Sequence, residues 1–336
     1  MSPEDSQAMP TEEPPEWSGR ERAARVLLVA GVVASCTPFV TPPIALLAGL
    51  LVALVLGNPF IATTSRFSKH LLKASVIGLG FGIPLSVVVD AGLGSVLEIT
   101  VGVVGVAVVG LAVGAVLGVE AATSALVTIG TAICGGSAIA ALGPAIRARA
   151  EPMAVALGTV FVLNSIALYL FPPIGAWAGL SQEGFGTWAA IAIHDTASVV
   201  GAASVYGTAA LETATVLKLV RTLWIVPLVA LGAAWAARRL EPTETTRRRY
   251  WVAAFPWFIL GFLAAASTRT LIPAWAESFD LLRDVARQGL VVTLFLIGAG
   301  LTRESLRRVG WRPLLQGLVL WGFVSCVALL WALRQG

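Results

Sequence analysis

Ile129-Gly130-Thr131-Ala132-Ile133-Cys134-Gly135-Gly136-Ser137-Ala138-Ile139-Ala140 is apolar enough for a membrane and too glycine-rich for an unbroken helix. It sits inside a longer apolar run, 122–145, that is sufficient to cross about 30 Å of hydrocarbon. Each interior glycine weakens a helix by about 1 kcal/mol relative to alanine. Backbone released from a helix at membrane depth finds no water, so it persists only where it lines a cavity or meets a ligand. Secondary transporters build their substrate sites from such discontinuous helices near the midplane. The stretch therefore predicts a broken helix and points to transport.

The composition of the whole chain agrees. Of 336 residues, 57% are hydrophobic and 12% charged, and the mean hydropathy is +0.84, outside the range of a soluble domain. The net charge of +4 reflects arginines gathered between apolar runs, which is a signal of orientation and not a nucleic-acid surface. Cys36, Cys134 and Cys326 stand in apolar surroundings at unrelated spacings, so neither a disulfide nor a metal site is expected, and no cofactor. Residues 1–22 form an acidic, proline-containing head with Glu4, Asp5, Glu12, Glu13 and Glu16. That head lacks the basic start of a signal peptide and is expected to be disordered and cytoplasmic. The remainder, 23–336, is expected to be one transmembrane domain.

The fold class that follows is an all-α polytopic membrane protein of about 10–11 spans, read at 24–40, 43–57, 70–89, 96–118, 122–145, 153–171, 187–207, 213–236, 251–268, 288–302 and 312–333. With the N-terminus inside, four basic groups fall on the cytoplasmic side: those around Arg22, Lys69, Arg248 and Arg307. Arg147 and Arg149 would then lie outside, which a re-entrant segment in 122–145 or 187–207 would repair. One leading helix followed by two five-span units gives inverted repeats. In that scheme the broken fifth span corresponds to the tenth, where Leu294-Phe295-Leu296-Ile297-Gly298-Ala299-Gly300-Leu301 also carries close glycines.

Ionisable residues at membrane depth are costly and generally face a cavity or a partner. Ile193-His194-Asp195-Thr196-Ala197-Ser198 places two of them side by side in the seventh span. Neighbours on a helix point about 100° apart, so a shared focus requires a break there. A cap on a half-helix by Asp195 or Thr196 is the plainer explanation, and it is compatible with a site. His194, with a reference pKa near 6.5, is the proton-handling candidate. Lys218 and Arg221 are three residues apart in the eighth span and share a helix face. Such a pair suits an oxyanion, although Lys218 could instead snorkel to the interface. Asn164 could donate to a substrate or join two helices. Unwinding at Cys134-Gly135-Gly136-Ser137 would leave a positive half-helix end with a hydroxyl beside it, fit for an anion. Nothing in the sequence sets a base beside Cys134, and hydrolase, zincin and P-loop motifs are lacking, so an enzyme or an ATP-driven pump is not expected.

Three segments in this order, Ile133–Ala140, Ile193–Ala202 and Leu217–Arg221 followed by Pro227, resemble the YeiH-like family of bacterial inner-membrane proteins labelled sulfate exporters. The likeness extends over nearly everything after residue 24. It implies a fold akin to bile-acid-symporter-like and cation/proton-antiporter-like carriers, with inverted five-helix repeats and crossing broken helices. The long acidic head departs from the family pattern.

The function expected is secondary transport of a small inorganic or organic anion, sulfate or sulfite first, by alternating access. Cys134, Gly135, Gly136, Ser137, Thr196, Ser198, Lys218 and Arg221 are the expected substrate site, and His194 with Asp195 the proton-coupling pair. Sodium coupling through Asp195, Thr196 and free carbonyls is the alternative; a channel or a membrane enzyme using Cys134 are more distant ones. The bilayer is the expected setting, a homodimer is compatible with the sequence, and no nucleic-acid partner is expected.

Overall fold

A computed structural model describes residues 19–237, 256–303, 307 and 309–335. Every regular element among them is helical. The acidic head, apart from its last residues, lies outside the described residues, as do the arginines of 238–249 and the start of the expected ninth span. Helix α1 already begins at Gly19, earlier than the expected boundary at 22.

One group of helices comprises α1 (Gly19–Ser35), α2 (Pro42–Val55), α3 (Ile61–Gly80), α13 (Phe258–Leu271) and α14 (Ala276–Gly300). Pro42 and Pro43 open α2, where a missing N–H costs no hydrogen bond. Helix α14 is the centre of this group and packs along both α2 and α3. The α2–α14 contact is backbone to backbone. A side chain on Gly49 would collide with the Phe295 carbonyl, and one on Gly298 with that of Leu46. Asn58 Nδ2 donates to the Ala299 carbonyl at 2.9 Å, and Gln288 Nε2 to that of Thr37 at 2.8 Å.

The second group holds α5 (Val96–Val116), α6 (Ala121–Ala132), α7 (Gly136–Ala145), α8 (Ala150–Trp177), α9 (Gln182–Ala192), α10 (Thr196–Tyr206), α11 (Thr208–Leu223), α12 (Ile225–Ala237) and α15 (Trp311–Gln335). Helix α6 is flanked by α5 and α8, and α9 by α11 and α15. Gln316 on α15 ties this group together, its Nε2 donating to the Gly110 carbonyl at 2.9 Å and to Thr128 Oγ1 at 3.1 Å. The rings of Phe171 and Trp188 stack at 4.2 Å across α8 and α9. Between the groups, α10 lies on α2 and α14, and α4 (Leu85–Gly94) touches α11 and α13. The Tyr169 hydroxyl on α8 donates to the Pro43 carbonyl of α2 at 2.6 Å.

The outward faces are apolar. Val101, Val104, Val108 and Leu111 of α5 are all exposed, a face that suits lipid. The chain is thus an all-helical, multi-pass membrane protein. By length and composition, four described helical stretches suffice to cross a membrane: α5, α8, Thr208–Gly232 and Trp311–Arg334. There are six if two sharply bent pairs are each counted as one span, α3 with α4 at 107° and α13 with the segment through α14 at 101°. The count of 10–11 exceeds this because several expected spans are built from short helices. Run 122–145 divides into α6 and α7, and 187–207 into parts of α9 and α10. The tenth span is a correction: Leu294–Gly300 lies in the unbroken α14, where Gly298 serves close packing on α2 and Gly300 meets no neighbour.

Candidate functional site where two broken helices meet

The breaks are at Ile133–Gly135, between α6 and α7, and at Ile193–Asp195, between α9 and α10. Gly135 makes the first possible. Its φ of +60° and ψ of −117° belong to a region L side chains avoid. Its N–H still donates to the Gly130 carbonyl at 2.9 Å, closing the end of α6, and its own carbonyl receives the Ile139 N–H at 3.1 Å, starting α7. Gly136 and Ser137 are already in the first turn of α7, so the non-helical residues are 133–135, slightly before the expected 134–137.

The second break is held by an acid. Asp195 is the N-cap of α10, and its Oδ2 accepts from the N–H of Ala197 at 3.1 Å and of Ser198 at 3.2 Å. The plainer reading of Asp195 as a cap is therefore what the geometry gives. Asn164 on α8 fixes the neighbouring residue: its Oδ1 accepts from the His194 N–H at 2.9 Å. The two breaks touch. A Cβ on Gly135 would lie 3.4 Å from the His194 carbonyl oxygen and 3.0 Å from Val160 Cγ1. The glycine pair and the ionisable residues of the seventh span predict that residues near 134–137 face 193–198 across a cavity; at this point the two are in direct contact instead.

Lys218 and Arg221 reach the crossing from α11, and both are buried, so Lys218 does not snorkel. Lys218 Nζ donates to the Ile193 carbonyl at 2.7 Å and to that of Ala190 at 3.2 Å. Arg221 spans both breaks. Its Nε donates to Ala132 O at 2.6 Å and Nη2 to Thr131 O at 3.2 Å, while Nη1 donates to Ile191 O. Two cations thus sit on the carbonyl ends of α6 and α9, where orphan C=O groups concentrate partial negative charge. Their donors are directed to main chain first, a use that residue type and spacing did not reveal.

The remaining polar atoms are of more interest. His194 is fully buried, and neither ring nitrogen has a partner among the described residues. The same is true of Thr131 Oγ1 and Asn164 Nδ2. Thr131 has no mark in the sequence, since one threonine in an apolar helix carries no signal. Cys134 is buried within electrostatic reach of Lys218 and Asp195. Thr196 and Ser198 are buried in the first turn of α10, Gly136 is partly covered, and Ser137 is exposed. The structure thus gathers Cys134, Gly135, His194, Asp195, Lys218 and Arg221 at one crossing, with Ser137 at its edge. No group of three or more His, Cys, Asp or Glu able to hold a metal occurs among the described residues.

Residues 24–317 match a family model described as conserved hypothetical protein 698. The chain is 47% identical to a UPF0324 membrane protein of Geobacter sulfurreducens over 87% of its own length and 91% of that relative. It is 44% identical to one of Bdellovibrio bacteriovorus, over 94% of this chain and 95% of that relative. A third, from Vibrio vulnificus, is 46% identical over 88% of this chain and 94% of its own. No solved structure matches.

Proposed function

Because the chain belongs to the conserved hypothetical 698 (UPF0324) family of membrane proteins, and its buried polar groups meet where two helices break, we propose that it is a secondary active carrier of a small oxyanion. The observation that carries this is the crossing itself. Unwound backbone at depth survives beside a binding site, and here it is surrounded by His194, Asn164 and Thr131 with unpartnered donor or acceptor atoms. Sulfate or sulfite is the first choice of substrate and export the favoured direction, across the inner membrane with the N-terminus inside.

In this scheme the start of α7, from Gly136 and Ser137, presents N–H groups to the anion, since no side chain caps that end. Thr196 and Ser198, buried in the first turn of α10, are the further substrate-binding residues of this scheme. Lys218 and Arg221 supply positive potential while holding the carbonyl ends, and His194 with Asp195 couples a proton. Sodium coupling is the weaker alternative because carbonyls at both breaks already accept from Lys218 and Arg221. One group of helices moves against the other to alternate access.

Flux of labelled sulfate and sulfite into proteoliposomes, under separate proton and sodium gradients, tests the reading. Saturable exchange driven by the proton gradient is expected. A His194→Gln variant, which keeps hydrogen bonding but removes titration near neutrality, should flatten the pH profile of that flux. Absence of flux for either anion in both gradients refutes the carrier, and sodium dependence lost in Asp195→Asn transfers the coupling to a cation.

A further inference from the structure

The outer face of α3 is basic. Arg66, Lys69, His70 and Lys73 stand at i, i+3, i+4 and i+7, so they form one stripe along the helix, and all four are exposed. The other face, which buries Ser68 and Ser75, packs along α14. Arg66, Lys69 and Lys73 pair with no acid among the described residues. His70 is turned along the helix, its Nδ1 donating to the Arg66 carbonyl at 2.8 Å. Two further cations reach this end from α1. Arg20 Nη2 donates to the Val55 carbonyl at the close of α2, at 2.6 Å, and the Arg25 guanidinium lies 5.2 Å from the centre of the Phe60 ring, just before α3 begins.

Neighbouring residues set the level of this stripe in the membrane. Helix α13 runs parallel to the second half of α3. A Cβ on Gly261 would meet Ile77, one on Gly80 would meet the Phe262 carbonyl, and Thr270 Oγ1 accepts from the Leu85 N–H at 2.8 Å. Trp257, the N-cap of α13, is therefore level with Lys73, each four residues before the contact of Gly261 with Ile77. Trp257 and Phe67 are both more than half exposed, and Leu260 is open one turn deeper. Tryptophan favours the seam between hydrocarbon and headgroups. From that seam the stripe rises about 10 Å, from Lys73 to Arg66, against a headgroup layer about 5–7 Å deep on each side of a bilayer. Long Lys and Arg side chains bend to cover the difference. A bare row of cations is costly against acyl chains and favourable against anionic headgroups.

We propose that the basic stripe of α3 is a seat for anionic phospholipid, its cations holding headgroup phosphates of the leaflet that this end of the molecule meets, with Phe67 and Trp257 set against the acyl chains. The seat does not depend on what the crossing carries. Because α3 packs along α14, the centre of the first helix group, bound lipid ties that group to the leaflet.

Native mass spectrometry of the purified full chain in neutral detergent, titrated with phosphatidylglycerol or with phosphatidylcholine, tests it by counting bound lipid. Phosphatidylglycerol should bind at least about tenfold more tightly than phosphatidylcholine. Lys69→Gln with Lys73→Gln should weaken phosphatidylglycerol by about tenfold or more. Arg312→Gln with Arg334→Gln, the same change of net charge on exposed residues of α15, should leave it near the wild-type affinity. Inorganic phosphate at the lipid concentration should not displace bound phosphatidylglycerol, and thermal unfolding of each variant checks that the fold is retained. Equal affinity for the two lipids overturns the seat, and so does an equal loss in both double variants, which would reduce the effect to net charge. Displacement by inorganic phosphate also overturns it, giving the stripe to a free anion and not to lipid.

Discussion

Two residues at the breaks act through backbone chemistry, and each gives a measurable consequence. Gly135 adopts a conformation closed to other residues, and a Cβ there would press on Val160. Gly135→Ala should lower stability by about 1–3 kcal/mol, seen as a fall in the unfolding temperature of the detergent-solubilised protein. Gly136→Ala, in a helical position where the Cβ would meet the Phe161 ring at 3.2 Å, should cost clearly less. Equal losses would mean that the break tolerates a side chain. Asp195 separates into two roles by substitution. Asp195→Asn retains an oxygen for the Ala197 and Ser198 N–H groups and should unfold near the wild-type temperature, whereas Asp195→Ala loses a cap worth about 0.5–2 kcal/mol. If Asp195→Asn is folded and still fully coupled to the proton gradient, the aspartate is a cap and nothing more. The Gly-Gly pair was legible in the sequence because glycine is rare in helix interiors for a physical reason. Which of the two glycines takes the left-handed conformation depends on Val160 and His194, and no local signal reports them.

At the level of helices, the breaks are possible because cations from α11 cover their carbonyl ends. Arg221 serves α6 and α9 together, and Lys218 serves α9 and the break after it. Removing Arg221 leaves several buried carbonyls without a donor. With about 1.5–3 kcal/mol for each hydrogen bond to a charged group, Arg221→Ala should cost about 3 kcal/mol or more in denaturant titration, and Lys218→Ala should cost less. Arg221→Lys should fall between wild type and Arg221→Ala, because a single ammonium lacks the span to serve both helix ends. Unfolding midpoints unchanged in both alanine variants would free these cations from structural duty and return them to the substrate alone. The spacing of Lys218 and Arg221 showed that they share a face. What they face lies 25 to 90 residues earlier in the chain, beyond any window over which residue pattern carries information. Asn164 is similar: its type suggested a hydrogen bond between helices, but the partner was fixed only by tertiary packing.

At the level of the molecule, apolar runs and charge foretold an all-helical, multi-pass protein, because the need to satisfy backbone groups in lipid leaves few solutions. That the break near 134–137 faces residues 193–198 was legible from the glycine pair and the buried ionisable residues, but which span answers to 122–145 as a repeat was not. Glycines at 298 and 300 looked like those at 135 and 136, yet Gly298 lets α14 approach the backbone of α2, while the true partner break is marked by His194 and Asp195. Close packing and chain breaking use the same residue, and only the surroundings separate them. The arrangement into two helix groups allows a direct test of movement. A Cβ on Gly201 of α10 would lie 3.5 Å from Pro42 Cβ of α2, across the boundary, and one on Gly289 of α14 would lie 3.6 Å from Ser75 Cβ of α3, within one group. Both separations suit a disulfide. In a chain with Cys36 and Cys326 replaced by serine, oxidising the pair Pro42→Cys with Gly201→Cys should arrest anion flux in proteoliposomes, and reduction should restore it. Oxidising Ser75→Cys with Gly289→Cys should leave flux close to that of the reduced protein. If the cross-boundary disulfide forms and flux continues unchanged, the two groups do not move apart there, and alternating access by relative motion of these bundles is refuted.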